Sequence, residues 1–188
     1  MSRTIRLLGM TLVAVLAFSG VASAHSFVAE KAGAVTRVKN TTQVFKTGSG
    51  PAVECTADAV SNANAVAGKQ LTLAADVSYS SCTVTEILKF EATVTTAKYT
   101  FNADGTANLN NTIVIKVPIA GCNITVKPQN TLKTLTYKNT GKNVIVEPNV
   151  SGIVSEGSGG ECGTGVTNKG TYTGTTEVTS SGNTISWE

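Results

Sequence analysis

The chain has one histidine, one tryptophan and few charged residues, and each shortage removes a class of function. Ser-His-Asp and Cys-His catalysis need a histidine held by packing beside its nucleophile. The lone His25 stands close to the N-terminus, where packing does not provide that. No CxxC pair, no calcium loop of spaced acids and no phosphate-cradling glycine motif occurs. These absences predict no catalytic residue, no cofactor and no metal site. Beyond the first residues, no apolar run approaches the roughly 20 residues of a membrane span.

The N-terminus reads as a leader rather than as structure. Arg3 and Arg6 precede a short apolar core from Leu7 to Phe18, followed by the small residues Ala22-Ser23-Ala24. That order is a secretory signal peptide over residues 1–24, and the arginines are not adjacent as a twin-arginine signal requires. Cleavage leaves residues 25–188, or 188 − 24 = 164 residues, one domain's length. Loss of Arg3 and Arg6 lowers the formal charge from +3 to +1. A chain so near neutrality has no basic field for nucleic acid, and nothing remains to insert into a membrane. The expected setting is secreted or extracellular, with the cell surface included.

Cys55, Cys82, Cys122 and Cys162 all fall after the leader. An even count in an exported chain predicts two disulfides. Of three pairings, Cys55–Cys82 with Cys122–Cys162 is preferred, because each closes a moderate loop within its own half. The metal alternative lacks both CxxC spacing and an interior histidine.

What the sequence has in quantity is β-pattern. In Ala92–Val126, Ala97, Tyr99 and Phe101 alternate with Thr96, Lys98 and Thr100. Asp104-Gly105 marks a turn, and Ile113–Val117 leads through Pro118–Gly121 to alternating Cys122, Ile124 and Val126. Period-two alternation predicts three strands of a half-buried antiparallel sheet here. Leu71–Tyr79 alternates as well, and Asn139–Lys142 is a hairpin signal between two further strands. Asp58–Ala67 is the one candidate helix, with a single turn or irregular loop as the alternatives. The whole predicts an all-β fold: one antiparallel, Greek-key-like β-sandwich of about ten short strands, stapled by disulfides.

Four candidate chemistries remain. Cleavage would make His25 the first residue, with amine and imidazole placed to chelate copper, although a histidine brace needs a second imidazole that the chain lacks. Glu54, Glu86, Glu91, Glu147 and Glu177 lie in or beside expected strands, where two could face each other as a glycosidase pair or simply meet solvent. Tyr172 and Trp187 are the aromatics most open to a sugar-stacking role. Thr-x-Thr pairs are too irregularly placed for a flat ice-binding ladder.

The order Tyr79-Ser80-Ser81-Cys82, Tyr99-Thr100-Phe101, Cys122–Val126, Tyr137–Gly141 and Gly170–Gly174 resembles a loose group of uncharacterised exported all-β proteins of actinobacteria. The likeness covers most of the mature chain through short motifs. It implies fold and export and no activity. Similar chains often carry a further cysteine pair near Ala97 or Lys98 and Val117, which this one lacks. The resulting expectation is a non-enzymatic binding or envelope-associated module, its partner an extracellular protein or glycan. A carbohydrate-active protein is the alternative, and an N-terminal-histidine copper protein a lesser one.

Overall fold

The computed structural model describes residues 24–48, 52–84, 89–159, 165–181 and 183–188. The expected leader up to residue 23, Glu86 and Cys162 lie outside the described residues. Apart from one 3₁₀ turn at Pro118–Ala120, the regular structure is all strand. In chain order the strands are β1 (Phe27–Ala29), β2 (Gly33–Asn40), β3 (Gln43–Thr47), β4 (Ala52–Ser61), β5 (Ala63–Ala65) and β6 (Gly68–Gln70). There follow β7 (Thr72–Val84), β8 (Phe90–Val94), β9 (Ala97–Asn102), β10 (Thr106–Leu109), β11 (Ile113–Val117) and β12 (Cys122–Val126). The last six are β13 (Gln129–Lys133), β14 (Leu135–Thr140), β15 (Asn143–Ser158), β16 (Gly165–Thr173), β17 (Thr176–Ser180) and β18 (Ile185–Trp187).

All pairings are antiparallel, and the expected all-β sandwich is what the chain forms. One half of the sandwich closes on itself. The hydrogen-bonded path runs β3-β4-β7-β8-β11-β12, and β12 then pairs with the end of β15, whose neighbour β16 returns to β3. An eight-membered ring has no edge to protect, and its interior is about as wide as packed side chains fill. Phe45, Val53, Cys55, Cys82, Val84, Ile115 and Ile124 occupy that interior. In the other half, β7 pairs with β9 and β15 with β14 and β17, around Phe27, Val35, Leu73, Tyr137 and Val144. The short sheet β18-β1-β6 lies beside this second cluster.

The long strands β7 and β15 serve both halves, and each changes its inward face on the way. Along β7, Leu73, Ala75, Val77 and Tyr79 are buried, then the parity shifts to Cys82 and Val84. Ser81, at φ 52°, makes the shift. Along β15, Val144 and Val150 give way to the odd-numbered Ser155, across a bulge at Gly152 with φ 76°. A left-handed residue in a bulge is a place where glycine carries no Cβ penalty.

Two local expectations are corrected. Asp58–Ala67 is not helical: β4 continues to Ser61, Asn62 turns with φ 51°, and β5 follows. The ladder of Asp58, Ala59, Val60 and Ser61 against Tyr79, Ser78, Val77 and Asp76 outweighs the weak helix propensity of this stretch. Ala92–Val126 contributes to five strands rather than three, because the chain breaks at Thr95-Thr96 and again at Asn110–Thr112. Side chains satisfy the backbone at these breaks: Val114 N–H donates to Thr95 Oγ1 at 2.8 Å, and Lys98 N–H to Asn111 Oδ1 at 2.7 Å. The first break lets the chain move from one half of β7 to the other, since β8 pairs with Cys82–Val84 and β9 with Thr72–Val77. The turns at Asp104-Gly105 and Gly141-Lys142 form where expected, the latter joining Thr140 to Asn143.

Cys55 and Cys82 are directly opposed on β4 and β7, with Cα atoms 3.9 Å apart, and form the expected disulfide. Cys122 is also disulfide-bonded, while its expected partner, Cys162, lies outside the described residues.

Candidate binding cavity

An apolar cavity of about 90 Å³ lies within the sandwich, and its lining draws on both core clusters. Its polar groups are few and come from strands far apart in sequence: Asp58, Tyr79, Tyr99, Tyr137, Tyr172 and Thr176. Alternation explains the tyrosines. Tyr79 shares the inward parity of Val77, Tyr99 that of Ala97, and Tyr137 that of Leu135. Tyr172 is drawn inward by Phe45, its register partner on β3, on which its ring stacks at 4.8 Å between centroids. Tyr79 packs edge-on against the same Phe45 at 5.0 Å.

Most of these polar groups form one chain of hydrogen bonds. The Tyr79 hydroxyl donates to Tyr172 at 3.3 Å, and Tyr172 donates to Gln43 Oε1 at 2.7 Å. Since the Tyr79 proton is committed, Tyr99 is the donor in its 3.4 Å contact with Tyr79. Gln43, fully buried, continues the chain through Nε2 to the carbonyls of Thr41 and Thr175 and to Thr176 Oγ1. Thr176 Oγ1 donates to Asp58 Oδ2 at 2.6 Å, and Arg37 Nε lies 3.4 Å from Asp58 Oδ1. Gly174 completes this support, because a Cβ there would overlap the Gln43 side-chain amide.

Tyr137 stands apart. It is 3% exposed, and its hydroxyl has no hydrogen-bond partner among the described residues. Its ring meets Phe27 edge-on at 5.0 Å. Burial pushes the phenol of every tyrosine up, Tyr99 to about 12 and the others above the ordinary range. Burial likewise raises the Asp58 carboxyl, against the Thr176 bond and the Arg37 charge. At neutral pH the cavity therefore presents protonated phenols, three of them fixed in direction along the chain that ends on Gln43.

The residues singled out in the sequence are placed elsewhere or used otherwise. Tyr172 and Trp187 do not share a platform: no ring contact joins them, and both are half-buried. Trp187 donates its indole N–H to the Ala103 carbonyl at 2.9 Å and stacks on His25 at 4.3 Å. His25 is exposed, and no group of three metal-binding side chains occurs among the described residues. Glu54 and Glu91 flank Thr83 on neighbouring strands of one sheet, without a cleft between them in the register. Glu147 pairs with Lys138 at 2.6 Å. Glu177 accepts from Asn143 at 2.6 Å and meets Lys39 at 3.1 Å, and these contacts hold its carboxyl below the ordinary range.

Sequence reasoning missed Gln43, Asp58 and the joining of the tyrosines. Alternation counted from Cys55 points Asp58 outward, and only the parity change in the middle of β4 and β7 turns it in. The available signal was the row of tyrosines on expected inward positions. A buried phenol normally has a hydrogen-bond partner, so several together ask for polar company inside.

No family model, curated protein or solved structure matches this chain.

Proposed function

We propose that this protein is an exported, non-enzymatic binding module that works at or outside the cell surface and holds a small ligand within its β-sandwich. The observation that carries the reading is the apolar cavity with a few convergent phenol groups, the ordinary make-up of a small-molecule site. The carboxyl group in its lining, Asp58, is already engaged by Arg37 and Thr176, which leaves it poorly placed to act as a base on a bound molecule. The buried disulfide suits an oxidising compartment, and no helix among the described residues is long and apolar enough to cross a membrane. The basic, apolar and small-residue order of residues 1–24 supports export.

The test is a thermal-shift screen of the mature chain against small apolar and amphipathic molecules. A ligand confined to the folded state raises the midpoint by mass action. Stabilisation that disappears in Ala75→Val, which adds bulk to the cavity wall, supports the reading. A screen in which no compound stabilises the wild type more than Ala75→Val refutes it.

A further inference from the structure

We infer that the ligand of this cavity is an uncharged, mostly apolar molecule of about four to six non-hydrogen atoms carrying one hydroxyl, a short alcohol, with Tyr137 as its polar anchor. The inference rests on the cavity being the binding site and adds the chemistry of what enters it. Size follows from volume: a cavity of about 150 Å³ takes benzene, so the smaller space here suits a molecule somewhat smaller or a closely fitted ring.

Charge is decided by the lining. The one carboxyl in its lining, Asp58, lies against Arg37 and accepts from Thr176, so neither a cation nor an anion finds a free counter-charge. Water fits the space less well than an apolar molecule does. At roughly 30 Å³ each, about three waters would share a mainly hydrocarbon wall, and each needs two to four polar partners.

The hydroxyl is decided by Tyr137. A buried phenol without a partner forgoes a hydrogen bond that it could donate and another that it could accept. The other phenols have committed their protons along the chain that ends on Gln43, and Tyr99 Oη keeps only acceptor capacity. A ligand hydroxyl is complementary to this pair of conditions: it accepts from Tyr137 and has a proton of its own to give. An alkane meets neither condition, and an ether or ketone meets only the first.

The experiment is an amide-resolved NMR titration of the folded mature chain with 1-butanol and, in parallel, n-pentane as its apolar counterpart. Wild type, Tyr137→Phe and Ala107→Val are compared, with Ala75→Val as a second cavity-filling variant should Ala107→Val not fold. Butanol should shift resonances of the cavity wall in the wild type, with affinity about tenfold weaker in Tyr137→Phe and pentane binding unchanged. Both compounds should bind more weakly in the filled variant. Equal butanol affinity in wild type and Tyr137→Phe would overturn the hydroxyl anchor while leaving the cavity as the site. Binding of both compounds undiminished by filling, or of neither to the wild type, would overturn the cavity reading itself.

Discussion

Raising the pH tests the interior most directly, because all four tyrosines of the chain line the cavity and all four phenols are held above their ordinary value of 10.0. For an acid whose folded pKa is raised, the stability is fully present below the unfolded pKa and is lost as pH rises through the folded one. The window here therefore opens near pH 10 and extends to about pH 12 and beyond. Tyr99, moved from 10.0 to about 12 chiefly by burial, corresponds to roughly 3 kcal/mol of preference for the protonated form. The other three phenols are raised in the same direction and withdraw further folding free energy over the same window. Tyr99 alone accounts for a sizeable part of the roughly 5–15 kcal/mol that holds a domain together. The phenols should then ionise together, as the fold is lost, rather than singly in the folded protein. Near-ultraviolet phenolate absorbance and far-ultraviolet circular dichroism, followed on the same samples, should change in one coincident transition well above pH 10. Phenolate absorbance rising with a midpoint near 10 while the strand signal stays constant would refute the burial of these hydroxyls.

Two further outcomes follow from the polar groups. Tyr172→Phe leaves Gln43 Oε1 buried without its donor and takes the acceptor from Tyr79, so it should cost about 2 kcal/mol, or roughly 4–8 °C in midpoint. Thermal unfolding indistinguishable from wild type would remove the chain of bonds as a source of stability. Asp58 and Glu177 should act oppositely with pH. The raised Asp58 carboxyl favours the fold below the unfolded pKa and withdraws that stability as pH rises through and above 3.8, whereas the lowered Glu177 carboxyl contributes stability above 4.5 that is lost as pH falls. Denaturation of Asp58→Asn and Glu177→Gln across acid pH should change the slope of stability against pH in opposite senses, and changes of the same sign would contradict the assignment.

Much of the framework was legible along the chain. Alternation in Leu73–Tyr79, Ala97–Phe101 and Cys122–Val126 fixes which side chains go inward over each short run, since a strand has only two faces, whereas Leu71, expected in the same run, lies before the strand and is exposed. The Gly141-Lys142 turn and the Asp104-Gly105 turn are local chemistry, readable without knowing what the strands pack on. The Cys55–Cys82 bridge matches the pairing preferred for its moderate loop, while the direct opposition of the two cysteines in register is what the strand pairing adds. The candidate site was not legible. Nothing local to Tyr172 marks it as inward, since its hydroxyl meets Gln43, which is 129 residues away in sequence. Asp58 opens a stretch whose local pattern fits a helix, a single turn or a loop, and its Thr176 partner lies 118 residues on.

The sequence by itself determined an all-β chain, two of its turns and most of the inward residues of its regular runs, all of which depend on neighbours a few residues apart. Only the tertiary structure decided that β12 would meet β15 and close a ring, that β7 and β15 would exchange their inward faces at Ser81 and Gly152, and that four tyrosines would share a cavity. Period-two patterning carries no information about which distant strand lies alongside. A single left-handed residue is enough to reverse the parity on which the pattern depends.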